Sequence, residues 1–173
     1  RKLSMAVLFR LLHKFLDKCD IVIFPGGQIR KRFKGRIKSN STVLPNGMLS
    51  KAHTHQRSDE RYILQVGRLC KERRIDVLLK AFKRLDEPDI KLYVTSEGPG
   101  ASDLKESAKK LEIADRVRFL GYVSQKEKEE LYRRADVFVT TSPCDTHGLV
   151  ALEAMQYGTP VIAAAAGGFL DYI

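Results

Sequence analysis

Cysteine is scarce in this 173-residue chain: Cys19, Cys70 and Cys144 are scattered and odd in number. That argues against a disulfide framework or a cysteine-ligated zinc site, and for a reducing, cytosolic setting. The four histidines do not stand at metal-ligand spacing from the cysteines. His53 and His55 lie in a polar stretch and read as solvated. No apolar run reaches ~18 residues, so no membrane-spanning helix is expected. A signal-peptide pattern is absent as well. There is no internal repeat and no low-complexity tract. Acidic residues are rare at the start of the chain. Residues 1–60 hold 13 Lys/Arg against 4 Asp/Glu, whereas residues 61–173 hold 18 against 17. The net +9 of the first part favours an anionic partner such as a lipid headgroup, a nucleic acid or a phosphorylated substrate.

What is present reads as alternating strand and helix. Residues 3–18 form a helical pattern, with Arg10, Lys14, Asp17 and Lys18 on one side. It suits either a membrane-surface helix or, the reading favoured here, a helix packed on a sheet. DIVIFP (20–25) is a buried-strand pattern, QIRKRFK (28–34) a short basic helix and Thr42–Leu44 a short strand. Pro45-Asn46-Gly47 is a turn. Residues 48–60 are polar and read as an interdomain linker. From residue 61, strands are expected at 62–66, 90–95, 117–120, 137–142 and 160–166. Helices are expected at about 75–85, 101–111, 127–134 and 149–157. Ser124 with Glu127 is a capping box, and the helix after it reads as a solvated charged face. The alternation implies βαβ units, hence an α/β fold with a Rossmann-like parallel sheet and helices on both faces.

Val137–Phe169 carries the chemistry. It reads as strand, loop, helix, strand, loop, and PVIAAAA as a buried strand. Parallel sheets place ligands at the ends of such strands. The N–H groups near Gly148, Leu149 and Val150 form a helix N-terminus, which suits a phosphate. Asp145 lies before it, and Glu153 lies inside the helix on the face of Leu149. Ionised carboxylates only accept hydrogen bonds, so they suit hydroxyl groups. A diphosphate with hydroxyls on both sides describes a nucleotide sugar. Taken alone, the same residues also fit a solvated helix acid and an N-cap-like loop acid. Gly67-Arg68-Leu69-Cys70-Lys71-Glu72-Arg73-Arg74, a cationic loop between a strand and a helix, suits a diphosphate too; a solvated basic loop is the alternative.

D-T-H-G-L-V-A-L-E-A-M-Q-Y-G-T-P-V-I resembles the signature of family 4 retaining glycosyltransferases, of the GT-B fold. Their usual form is E-G-F-G-L-V-x-L-E-A-M-A-x-G-x-P-V-I. The spacing of the two acids is kept, with Asp145 one methylene (about 1.5 Å) shorter than the usual Glu. Thr146-His147 in place of Gly-Phe resembles the subgroup that glucosylates diacylglycerol. The resemblance extends to C-D-I-V-I-F-P-G and V-L-P-N-G-M-L, with Gly26 for the usual Ser and Leu49 for the usual Asp. It also includes the G-R-L-x-x-x-K-G loop, where Arg68 matches, Arg73 stands for Lys and Arg74 for Gly. In the G-x-G-P element, Ser96 replaces the first glycine and Gly98 is kept. F-x-G-x-V appears as Phe119-Leu120-Gly121-Tyr122-Val123.

The resemblance implies that residues 1–47 end an acceptor-side domain and that 61–173 form a nucleotide-sugar-binding domain. It covers about the middle of a full family member. Donor binding without transfer is therefore expected of this chain. The implied reaction moves a hexose from a nucleotide-diphosphate sugar to a glycan or glycolipid acceptor, with retention. Arg68 and Arg73 would stabilise the leaving diphosphate. Asp145 would hold sugar hydroxyls and Glu153 the ribose. Gly67, Gly98, Tyr122, Val123, Gly148, Leu149 and Val150 would line the nucleotide. No bound metal or cofactor is implied: one cation ~4 Å away is worth on the order of 4 kcal/mol at an effective dielectric of 20. Residues 1–38 offer contact with an anionic membrane surface, at the inner face of a cytosolic location. The rivals are a basic module binding anionic lipid or nucleic acid, and a GT-B sugar-nucleotide epimerase. No nucleic-acid motif is present, and no nucleic-acid partner is expected.

Overall fold

β-Branched and aromatic runs form the strands, and all of them pair in parallel. In the computed structural model, residues 2–48, 54–56 and 58–173 are described. Helix α1 (Lys2–Leu16) leads into strand β1 (Ile21–Phe24), helix α2 (Gly27–Phe33) and strand β2 (Asn40–Val43). β1 and β2 pair in parallel from Ile21–Asn40 to Phe24–Val43. The second sheet holds β3 (Tyr62–Gln65), β4 (Lys91–Thr95), β5 (Val117–Gly121), β6 (Val137–Thr140) and β7 (Val161–Ala163). Its spatial order is β5-β4-β3-β6-β7, parallel throughout. The linker reading over 48–60 falls partly on Leu49–His53 and Arg57, outside the described residues, as does Leu49's place in the family pattern.

Two cores sandwich the larger sheet. On one face, α3 (Ile75–Lys83) and α4 (Ala101–Lys110) bury Leu78, Leu79, Phe82, Leu104 and Ala108 against Leu92 and Val94. On the other, α5 (Gln125–Arg134) and α6 (Leu149–Gln156) bury Tyr132, Ala151 and Ala154 against Leu64, Tyr93 and Phe138. Strand alternation makes this possible: Leu64 and Ile63 point to opposite faces. Truncating a fully buried side chain such as Leu79 or Leu92 typically costs about 2–5 kcal/mol.

The strand order turns back at β3. β4 and β5 lie on one side of it, β6 and β7 on the other. The loops after β3 and β6 therefore diverge from neighbouring strands, and the crevice between them is where such sheets take ligands.

Three expectations need correction. PVIAAAA is not a buried strand: only Val161–Ala163 pairs, as an edge strand, and Ile162 is 59% exposed. Nothing in the described structure covers its outer face. α1 is not packed on a sheet; Leu8, Leu11 and Phe15 are 59%, 59% and 66% exposed. It is held instead at its end, where Asp17 accepts from the Lys38 N–H (2.6 Å) and the Ser39 hydroxyl donates to the Leu16 carbonyl (2.5 Å). α5 is not only a solvated face, because Tyr132 on it is fully buried.

Asp171 ties the two sheets together. A 3₁₀ turn at Gly167–Asp171 packs on α2, and Asp171 accepts hydrogen bonds from the Gln28 N–H at 3.1 and 3.3 Å. A Cβ at Gly26 would overlap the Asp171 carboxylate. Glycine in place of the family's serine makes room for that carboxylate.

Candidate donor site

The loops after β3 and β4 are built as a pair. The Leu69 N–H donates to Glu97 and the Gly100 N–H to Leu69, both at 2.9 Å. A Cβ on Gly98 would overlap the Leu69 carbonyl, so glycine is required by close backbone approach. Ser96 and Arg74, which stand where the family has glycine, keep the glycine conformation: their φ values are +79° and +55°. Arg74 does not crowd the loop. Its side chain is 55% exposed, with Nε 3.7 Å from the Asp76 carboxylate.

Across the crevice, the loop after β6 reaches the loop after β3. The Thr141 hydroxyl lies 2.9 Å from the carbonyls of both Arg73 and Arg74. The Arg73 guanidinium forms an ion pair with Asp145. The chain therefore brings together a residue expected at the phosphates and one expected at the sugar. Sequence order alone had left them 72 positions apart. One consequence is electrostatic: Arg73 is already compensated, whereas Arg68 is exposed and makes no ion pair among the described residues.

α6 begins at Gly148, whose φ of +72° and contact with Phe169 and Tyr172 leave no room for a side chain. Gly167 and Gly168 likewise pack backbone to backbone on Asp145 and Thr146. The Gly168 N–H donates to the Asp145 carbonyl at 2.7 Å. These contacts fix the loop that delivers the helix end. Among the described residues, none accepts from the N–H groups of Gly148, Leu149 or Val150, so this helix end has donors to spare.

Glu153 sits apart from Asp145, between α5 and α6. It accepts from the Tyr132 hydroxyl (2.9 Å) and pairs with Lys128 (3.0 Å). Burial first, and the Glu153 carboxylate second, push the Tyr132 phenol far above its usual range, so it stays a donor. Lys128 and Tyr132 were missed in the sequence, although their i, i+4 spacing places them on one helix face. Tyr172 was missed too. It donates to the Gly148 carbonyl at 2.8 Å, and burial together with the Asp145 carboxylate raises its pKa to about 12. Gly67 (φ +137°) opens the β3 loop, and Tyr122, 81% exposed, follows β5 with Val123. No group of three or more His, Cys, Asp or Glu side chains placed to hold a metal exists among the described residues.

This geometry defines a Rossmann-like domain of GT-B type, in which the loops after β3 and β6 meet at the switch point. Residues 50–173 match the family model described as glycosyl transferases group 1, and the chain belongs to that family. It is 33% identical over 172 residues to an alpha-monoglucosyldiacylglycerol synthase of Streptococcus pneumoniae, covering 88% of this chain and 39% of that one. It is 39% identical over 118 residues to a D-inositol 3-phosphate glycosyltransferase of Mycobacteroides abscessus, covering 65% and 26% respectively. Anabaena HepE in complex with UDP and glucose superimposes with a TM-score of 0.84 at 20% identity, over 95% of this chain and 50% of that one. A sucrose-phosphate synthase of Thermosynechococcus elongatus gives 0.83 at 26% identity, over 95% and 45%. The chain thus spans half or less of the length of each of these relatives.

Proposed function

We propose that this chain forms the donor half of a hexosyltransferase that uses a nucleotide-diphosphate sugar and retains the anomeric configuration. One observation carries the reading: at the point where the strand order turns back, Arg73 on the loop after β3 pairs with Asp145 on the loop that leads into α6, whose first N–H groups are open. Preorganised donors of this kind act where a leaving diphosphate gains charge. Asp145 and Glu153 each already face a cation, Arg73 and Lys128. Neither is a free general base, which supports a transfer assisted by the leaving phosphate. Asp145 is assigned to sugar hydroxyls and Glu153 to the ribose. The backbone of Gly67, Gly98 and Tyr122–Val123 is assigned to the nucleotide. No metal is assigned a role. The pneumococcal relative's name gives a glycolipid product, and the HepE complex holds UDP and glucose. The first favours a lipid acceptor, with a glycan as the other acceptor class.

Calorimetric titration with UDP, GDP and ADP, with a chelator present, tests this. One diphosphate is expected to bind, at least tenfold more weakly in Arg68→Ala, since a charge-assisted hydrogen bond is worth about 1.5–3 kcal/mol. Equal affinity in Arg68→Ala would remove the assignment. Turnover of nucleotide sugar without acceptor would favour the epimerase.

A peripheral, cytosolic-face location is the second part of the proposal. α1 exposes Val7, Leu8, Leu11 and Phe15 beside Arg10 and Lys14, and α2 adds Arg30, Lys31 and Arg32. Apolar and cationic groups together suit an anionic lipid surface. Co-sedimentation with phosphatidylglycerol vesicles at low salt, lost with phosphatidylcholine, is the expected result; no retention on either sinks this part.

A further inference from the structure

Lys128 and Tyr132 stand one turn apart on α5, and both reach a single atom of α6. The Tyr132 hydroxyl donates to Glu153 Oε2 at 2.9 Å, and Lys128 Nζ lies 3.0 Å from the same oxygen. Neither contact uses Oε1. The side chains of the ion pair are only 20% and 27% exposed, which sets it apart from a solvated surface bridge. α5 follows the Tyr122–Val123 loop and α6 follows Gly148. The pair therefore joins the two helices whose leading ends are assigned to the nucleotide.

Packing accounts for only part of this. A buried phenol needs one acceptor, and an amide or a backbone carbonyl supplies that without charge. A carboxylate placed here must also give up water, which costs free energy unless a cation compensates. Lys128 is that cation. The phenol cannot drift: Tyr132 is fully buried, its ring parallel to Tyr157 at 6.1 Å and edge-on to Phe138 at 5.8 Å. Burial keeps its proton in place, so it remains a donor. A carboxylate accepts through both oxygens, and fixing one of them aims the other.

Resting on the assignment of Glu153 to the ribose, we infer that Lys128 and Tyr132 are positioning residues: they hold the carboxylate by Oε2 and present Oε1 to a ribose hydroxyl. Neither touches the nucleotide. What they set is selectivity for a nucleotide that carries that hydroxyl over its deoxy form, since a site built to bond a hydroxyl rejects the analogue that lacks it.

The test titrates UDP, GDP or ADP, whichever binds, beside its 2′-deoxy and 3′-deoxy forms. The proteins are the unchanged chain, Glu153→Gln, Lys128→Met, Lys128→Arg and Tyr132→Phe, each shown to be folded by circular dichroism. The unchanged chain is expected to bind one deoxy form about tenfold more weakly, the worth of a hydrogen bond to a charged group. Lys128→Met and Tyr132→Phe should lower that ratio about threefold or more, as for groups that act through one another, by weakening the diphosphate and sparing the deoxy form. Lys128→Arg should keep most of the ratio. An unchanged ratio in Lys128→Met and Tyr132→Phe, or equal losses for all three ligands, overturns the positioning role. If Glu153→Gln alone abolishes the ratio, the ribose assignment stands without it. No discrimination by the unchanged chain, or full discrimination by Glu153→Gln, overturns the ribose assignment and this inference with it.

Discussion

Glycine and its replacements show how tightly single positions are constrained. Gly98 lies against the Leu69 carbonyl, and no side chain fits between them. Ser96, two residues earlier, holds φ at +79° although it has a Cβ, and Arg74 does the same at +55°. A non-glycine residue in this region carries about 1–2 kcal/mol of strain. The two positions therefore predict opposite outcomes. Ser96→Gly and Arg74→Gly should each stabilise the fold by up to about 1 kcal/mol, after the entropy glycine adds to the unfolded chain. Gly98→Ala should destabilise it by about 1–3 kcal/mol. Urea denaturation of the three variants checks both signs. The motif's departures at 74 and 96 thus burden stability and leave the loop's path intact.

Helix ends and strand pairing decide the next scale. α5 begins with Ser124, whose hydroxyl accepts from the Glu127 N–H (3.3 Å) while the Glu127 carboxylate accepts from the Ser124 N–H (2.7 Å). The hydrogen bonds from Ser124 hold the Glu127 carboxyl below its ordinary range. Its contribution is present above the ordinary carboxylate range and is lost as pH falls through the lowered value. Ser124→Ala should cost about 1 kcal/mol, seen as a melting temperature lower by roughly 2–4 °C. Because α5 also carries Lys128 and Tyr132 to Glu153, loosening its first turn should affect Glu153 before it affects Arg68. The capping box was legible from spacing alone. The exposure of β7 was not, since an apolar run looks the same at a sheet edge as at its centre.

At the scale of the whole molecule, several tyrosine hydroxyls are tied into long-range networks. Tyr93 stacks on Tyr62 at 4.4 Å and donates to Glu60, and Arg118 donates to its oxygen at 2.7 Å. Burial first, then the Glu60 carboxylate, raise the Tyr93 pKa to about 12, and Tyr172 reaches about 12 as well. A phenol with a raised native pKa binds its proton more tightly when folded. Its contribution is complete below the ordinary value of about 10 and is lost as pH rises through 12. Stability should therefore fall between about pH 10 and 12. Tyr93→Phe should flatten that slope, as thermal melts across the range would record. The Asp171 bond to α2 acts at this scale too, tying the two sheets across a cleft lined by His147.

The order of strands and helices, the parallel class, the capping box and the acid spacing from Asp145 to Glu153 were all determined by local sequence. Each depends on residues within a few positions of one another, where periodicity and propensity act. The site's electrostatics were not. Arg73 meets Asp145, Lys128 meets Glu153 and Asp171 meets Gln28 only because the strand order turns back at β3 and the two sheets abut. His147 reads as an ordinary loop residue in the sequence. It becomes an unpartnered buried imidazole only when Gly168 and Tyr172 close over it. Long-range packing selects these pairs, and no local spacing encodes them.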